Sequence, residues 1–431
     1  MIEIKHKLSK KQIGTSLKAF LLNRIVTIIF VIICLLSFKL SGMSVTFYVR
    51  DILSRLSRNL FLILALIIPV LAGMGLNFAI VLGAMAGQIA VIMVTHFGVP
   101  GFPGFLLCLL CALPFALLFG YLIGKLLNRT KGQEMITSLI LGFFANGVYQ
   151  FALLILVGSV IPLSNAKLIL SRGYGIKNTV DLTGGLKYSL DGVWKVPFPV
   201  TAFWGGIAVC VLIGLIYVYQ KYYSKHGKII STTKALIYSL LAIIIAVWGY
   251  TLMNSNSSLN TVFVPIVTFI AIAILCLFNI IIVKTKLGQD FRAIGMNQHV
   301  AAAAGINVNK TRIIAIVISI VLASWGQIIF LQNLGNLNTY GSHGQVGIFA
   351  IAAILIGGAS VTKATVGQGI LGAILFHTLF MLSPLAGRNL MGDAQLGEFF
   401  RAFVAYGVIA LSLGMYAWKR QLQKNSENDD F

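Results

Sequence analysis

Carboxylates are scarce in this chain, and none stands deep inside its apolar runs. Asp and Glu together number 11 in 431 residues, and all of them lie in loops, in the tail or at the edges of apolar runs. Proton relays through a bilayer are built on buried acidic groups, so a carboxylate relay is excluded. That weakens the reading as a secondary carrier, although Na⁺ coupling through backbone carbonyls needs no such group. Charged residues of either sign make up only 10%, against about 25% in soluble domains. Cysteine is also sparse. Cys34, Cys108, Cys111, Cys210 and Cys276 all sit in apolar runs. Cys108 and Cys111 have the spacing of a metal or redox pair, but Leu106, Leu107, Leu109 and Leu110 surround them and no histidine or second pair is near, so they read as packed thiols.

Catalytic motifs are absent too. No Ser-His-Asp arrangement or zinc-binding cluster emerges. Gly120–Lys125 (GYLIGK) imitates a phosphate loop, yet three residues separate its glycines where four are needed, and Leu126 stands where Ser or Thr should follow. The chain therefore reads as a non-enzyme that binds no cofactor.

What is present is apolar sequence: 58% of residues, with a mean hydropathy of +0.92. The runs are long enough, at about 17–25 residues, to cross a hydrocarbon core of about 30 Å as helices, and they lack the alternation of a membrane barrel. An all-α polytopic membrane protein with about 10–12 transmembrane helices follows. Twelve spans are expected, at 25–39, 59–74, 77–95, 103–123, 136–159, 200–219, 235–253, 262–283, 312–331, 346–360, 366–384 and 399–418. The third and tenth are short and rich in Gly and Ala, as in re-entrant or broken helices.

Charge supplies the orientation. With both termini in the cytoplasm, about two thirds of the 33 Lys and Arg residues fall on the inner side, as the positive-inside bias requires. The net charge of +22 is spread over short loops, which points to anionic lipid headgroups and not to nucleic acid. The expected organisation is a basic inner segment at 1–24, a transmembrane domain at 25–418 and a cytoplasmic tail at 419–431. Within the domain lie an outer loop at 161–199 and an inner loop at 284–311. The start resembles a secretory signal, but Phe38, Lys39 and Leu40 offer no small-residue cleavage site, so an uncleaved first span is expected.

The inner loop is the most informative polar stretch. From Gln289 to Ala304 it can form helix, and Gly295 and Gly305 offer breaks that would let two short pieces lie across the membrane surface and present themselves to a partner. Its Leu-Gly, Arg-Ala-Ile-Gly-x-Asn and Ala-Ala-x-x-Gly-Ile elements, between Lys286 and Arg312, resemble the coupling segment of permeases in the branched-chain amino acid, simple sugar and nucleoside group of bacterial ABC importers. Ile348–Gly358 (IFAIAAILIGG), followed by Ala359, Ser360, Gly369, Gly372 and Ala373, is similar to the later Gly-rich spans of that group. Gly75–Ala79 (GLNFA) resembles its early turn.

The resemblance implies a multi-pass subunit of the bacterial cytoplasmic membrane. Its partners would be a second permease copy or paralogue, two cytosolic ATPase subunits carrying ATP and Mg, and an extracytoplasmic solute-binding protein. Arg292, Ala293, Gly295, Asn297, Ala301 and Gly305 would dock in the ATPase groove. The IAAILIGGAS form of the Gly-rich block is closer to sugar permeases, whereas GLNFA points to the nucleoside and amino acid branches. A carrier or channel acting without ATPases, and a scaffold without transport, remain the rivals. One departure is plain: three spans stand between the outer loop and the coupling segment, where the group has one.

Candidate pathway residues are the polar groups inside spans, which avoid lipid by facing the bundle interior. They are Asn77, Gln88, Asn146, Gln150, Gln327 and His377, each able to serve either as interhelical glue or as a solute contact. Gly357 and Gly358, like Gly73, Gly75, Gly83 and Gly87, permit close helix approach or broken helices. The outer loop and residues 332–345 form either a receiving surface for a binding protein or a solvated rim.

Overall fold

The computed structural model describes residues 26–163, 165, 167–171, 173–222, 231–393, 395–403, 406, 407, 409–411 and 414. The expected inner segment 1–24 and tail 419–431 lie outside the described residues, as do part of the 399–418 span and most of the basic stretch at 220–234.

The expected helical, multi-pass architecture is what forms. Among the described residues, eight helices are long and apolar enough to cross a membrane, and a bent helix pair makes a ninth. The helices run in order α1 (Val26–Ser41), α2 (Val45–Ala65), α3 (Ile67–Leu71), α4 (Ile80–Phe97), α5 (Gly101–Arg129), α6 (Glu134–Phe151), α7 (Phe198–Tyr222) and α8 (Thr232–Met253). They continue as α9 (Ile266–Ile282), α10 (Lys286–Met296), α11 (Gln298–Ala303), α12 (Val308–Leu334), α13 (Ser342–Ile356) and α14 (Val366–Met391). Eleven of the expected spans find a helix among these, and the described residues of the twelfth, 399–403, 406, 407, 409–411 and 414, are helical as well. The second begins at Val45 and not at 59, because the helix carries Arg50, Asp51, Arg55 and Arg58, which an apolar window rejects. The third, expected to be short or broken, is one unbroken 18-residue helix, α4. The tenth, α13, is indeed short at 15 residues and stops where Gly358 turns the chain at φ +86°.

The chain divides into two compact units. In the larger one, formed by residues before 44, 54–190 and 270 onward, α12 is the central helix and packs on α4 and α5. Small residues allow the approach: a Cβ added at Gly87 would lie 2.5 Å from the Ser324 carbonyl oxygen. α13 and α14 cross as closely, since a Cβ at Gly372 would stand 1.9 Å from the Ala353 carbonyl oxygen. At the far end of α12, β4 (Asn336–Asn338) pairs antiparallel with β1 (Thr179–Asp181), in register Val180 to Leu337. This small ribbon anchors the 161–199 segment, expected to be the outer loop.

The smaller unit, residues 44–53 and 191–269, holds the additional pair of spans. α7 and α8 pack against each other through Gly206, whose added Cβ would meet the Ala242 carbonyl oxygen at 2.6 Å, and through Phe198 edge-on to Trp248. β2 (Lys195–Pro197) pairs antiparallel with β3 (Phe263–Pro265), and buried Asp191 accepts a hydrogen bond from Thr268.

Candidate functional site

Two constellations of polar and charged side chains gather most of the expected site residues, one toward each end of α12. The first is the inner loop. α9 and α10 meet at 71°, and Thr285 caps α10 by accepting from the Gly288 N–H. The break between the two short helices falls at Asn297, not at Gly295. Asn297 is extended (φ −156°, ψ 111°), and its Oδ1 accepts from the N–H groups of His299 and Val300, which starts α11. Gly305, at φ +83°, ends that helix in the left-handed conformation that glycine adopts without cost.

Gly295 stays inside α10 and lies against the end of α3. A Cβ there would stand 2.3 Å from the Leu71 carbonyl oxygen, and one at Gly73 would stand 2.7 Å from the Gly295 Cα. Ala301 is buried with Ile294 and Val308, and Ala293 packs against that cluster. Of the six residues expected to dock, five thus shape or seat the element, while Arg292 faces outward. The outward face holds two apolar side chains that sequence reasoning missed, Met296 at 88% and Val300 at 64% exposure. An apolar residue on a short polar loop gives no periodic signal, so only the fold reveals them.

A buried ion pair fastens this element to the bundle. Arg312, fully buried at the start of α12, donates to Glu134 at the first position of α6 and, at 3.4 Å, to Gln298 of α11. Glu134 also accepts from the Gly132 N–H at 2.9 Å, and its charge is favoured at a helix N-terminus. One guanidinium therefore ties α6, α11 and α12 together.

The second constellation is polar and interior. Asn146, Tyr149 and Gln150 share one face of α6 through i, i+3 and i+4 spacing. Tyr149 donates to Gln88 Oε1 at 2.9 Å, and Gln150 donates to Asn146 Oδ1 at 3.3 Å. His343 joins them, with Nδ1 2.9 Å from Gln88 Oε1 and Nε2 2.7 Å from Asn146 Oδ1. A neutral imidazole donates from one nitrogen only, so one amide must present its NH₂ to the ring. Gln88 meets that need when its amide is turned over: its NH₂ then donates to His343 Nδ1 and to the Tyr149 hydroxyl, which accepts instead of donating, while the His343 Nε2–H donates to Asn146 Oδ1.

The expected pathway residues therefore separate. Gln88, Asn146 and Gln150 form one network, and Gln327 reaches its edge by donating to the Ser342 carbonyl at 3.4 Å. Asn77 instead accepts from the Ala79 N–H at the start of α4. Gly357 and Gly358 serve the α13–α14 crossing, where the Gly358 carbonyl accepts from Gln368 at 2.6 Å. His377 lies in a separate open cavity of about 370 Å³ with Arg55, Arg58, Phe330, Phe349 and Phe380. There the Arg55 and Arg58 guanidinium groups stand 5.3 and 5.8 Å from the Phe380 and Phe330 ring centres. Both arginines and His343 fell in segments read as loops, one helical turn or less outside the expected spans. No group of three or more His, Cys, Asp or Glu that could hold a metal occurs among the described residues.

Comparison with known proteins gives consistent matches. The family model described as branched-chain amino acid transport system / permease component matches residues 168–413. The probable ABC transporter permease protein YphD of Escherichia coli is 30% identical over 35% of this chain and 43% of its own length. The nucleoside ABC transporter permease protein NupB of Lactococcus lactis is 32% identical over 31% of this chain and 34% of its own. The ribose import permease protein RbsC of Escherichia coli is 31% identical over 30% and 38%. The chain thus spans less than half the length of each of these relatives. No solved structure matches it significantly.

Proposed function

Because this chain belongs to the branched-chain amino acid transport system permease family, whose model covers more than half of it, we propose that it forms the translocation pathway of an ATP-driven importer in the bacterial cytoplasmic membrane. Two cytosolic ATPase subunits supply the energy, a second permease copy or paralogue completes the pore, and an extracytoplasmic binding protein delivers the solute. ATP and Mg belong to the ATPase subunits. The observation that carries this reading is the inner element. A rigid, ion-paired pair of short helices presents Arg292, Met296 and Val300, the mixed apolar and cationic face that fits a groove on another protein. Closure of the ATPase pair moves this element, and α12 carries the movement to the Gln88–His343–Asn146 network, switching access from one side of the membrane to the other.

The solute is small and hydrophilic. A simple sugar is favoured by the Ile348–Gly358 block and by the ribose permease among the relatives. A nucleoside is the second reading, supported by the nucleoside permease relative. Vesicles containing the purified chain alone will take up neither labelled ribose nor labelled uridine. Uptake of one of them will appear when the ATPase subunits, binding protein and ATP are added. Uptake by the chain alone would establish a carrier or channel instead.

A further inference from the structure

The bend between α9 and α10 opens a cavity of about 1310 Å³ where an apolar helix gives way to a polar one. Two kinds of wall meet there. Ile67 and Val283 offer apolar surface, while Lys284, Arg292 and Lys363 bring three positive charges from three separate segments. Among the described residues none of these cations forms an ion pair, and Asp290, the single carboxylate of α10, does not line the cavity. A third feature is independent of charge. Asn279 lines the same cavity and is 2% exposed. Its Nδ2 donates to the Leu275 carbonyl at 3.0 Å, but its Oδ1 is buried with no hydrogen-bond partner. A buried acceptor left in this way is costly, and a donor from a molecule in the cavity would offset that cost.

We propose that this cavity binds an anionic phospholipid whose headgroup carries a free hydroxyl, phosphatidylglycerol being the simplest example. The phosphate diester takes the charge-assisted contacts of Lys284 and Lys363, a glycerol hydroxyl donates to Asn279 Oδ1, and an acyl chain runs along Ile67 and Val283. Free phosphate shares the headgroup chemistry, but it would leave the apolar wall bare. The position follows from α9 ending at Ile282, which puts Val283 and Lys284 at the boundary between hydrocarbon and headgroups. Lipid in this cavity lies directly against α10, beside the Gly295–Leu71 contact, and so braces the inner element. Binding itself does not depend on the importer reading, since it requires only the chain in a membrane.

Native mass spectrometry of the purified full chain in detergent tests the proposal, with phosphatidylglycerol and phosphatidylcholine of identical acyl chains. Phosphatidylglycerol should bind at least about tenfold more tightly than phosphatidylcholine. The surface variant Lys284→Gln/Lys363→Gln should lose about tenfold in phosphatidylglycerol affinity, and Asn279→Leu should lose several-fold by removing the acceptor of the glycerol hydroxyl. A control of equal charge change, Lys125→Gln/Lys310→Gln, should bind as the parent does. Equal retention of phosphatidylglycerol and phosphatidylcholine would overturn the proposal, as would equal loss in the control. Displacement of the lipid by inorganic phosphate would overturn it in favour of a phosphate site.

Discussion

Replacing Arg312 by Met is expected to destabilise the protein by about 3–5 kcal/mol, because it leaves Glu134 as an uncompensated charge in a buried site. The geometry makes this the most sensitive polar contact of the inner element. Arg312 is wholly buried, and its guanidinium bonds both Glu134 of α6 and Gln298 of α11. A buried pair exchanged for neutral groups of similar volume is often close to neutral in stability, since desolvation offsets much of the Coulombic gain. The double variant Glu134→Gln/Arg312→Met should therefore recover most of the loss. Denaturation of the purified protein in detergent measures both. A single variant within about 1 kcal/mol of the parent would show that the pair fastens nothing. The double variant separates stability from coupling: it should fold and insert, yet transmit movement poorly, because the tie between α6, α11 and α12 is gone.

Gly295→Val is expected to give the largest functional loss among residues of the inner element. The added Cβ would stand 2.3 Å from the Leu71 carbonyl oxygen, and its contact is backbone, which cannot swing aside as a side chain can. α10 must then lift from α3. In the assembled importer, uptake should fall at least about tenfold while insertion persists, and ATP hydrolysis should continue without transport, since a displaced element passes on less movement. Gly305→Ala should be much milder. No atom stands within 4 Å of a Cβ there, and the cost is the positive φ alone, about 1 kcal/mol. Uptake and hydrolysis assays on the two variants give the ranking. Equal effects would mean that Gly295 matters only as a flexible joint.

Much of this architecture could be read from residues alone. The apolar runs locate α4 to α9 and α12 to α14, because each run is a single long hydrophobic stretch bounded by charge or glycine, although α5 and α14 run past the expected ends 123 and 384 to Arg129 and Met391 and α6 stops at Phe151, short of 159. Legibility fails where a charged residue rides inside a helix. Arg55 and Arg58 pushed the expected start of the second span to 59, so the cavity they share with His377 was invisible. His343 was lost in the same way, three residues before the expected tenth span, although it completes the network of Gln88 and Asn146. Glu134 and Arg312 lie 178 positions apart, and no local pattern announces such a partnership.

The inner element shows a different limit. Its Arg-Ala-Ile-Gly-x-Asn signature falls on the end of α10 and the cap of α11, and most of its residues encode the shape of these two short helices. Gly295 allows the seat on α3, Asn297 starts α11, Ala301 fills a small core and Gly305 ends the helix. A motif that specifies a backbone does not name its contact face. The two most exposed apolar side chains there, Met296 and Val300, emerge only from the three-dimensional structure.

The central claim is that a cytosolic ATPase subunit grips this face and drives the bundle. The most direct measurement is site-specific cross-linking of the assembled importer, with Val300→Cys paired against cysteines placed along the groove of the ATPase subunit. The account predicts a cross-link at Val300 whose yield changes between nucleotide-free and ATP-bound states, with none from a cysteine at Thr179 on β1, at the far end of α12. A Val300 position that cross-links to no ATPase subunit in either state would contradict it.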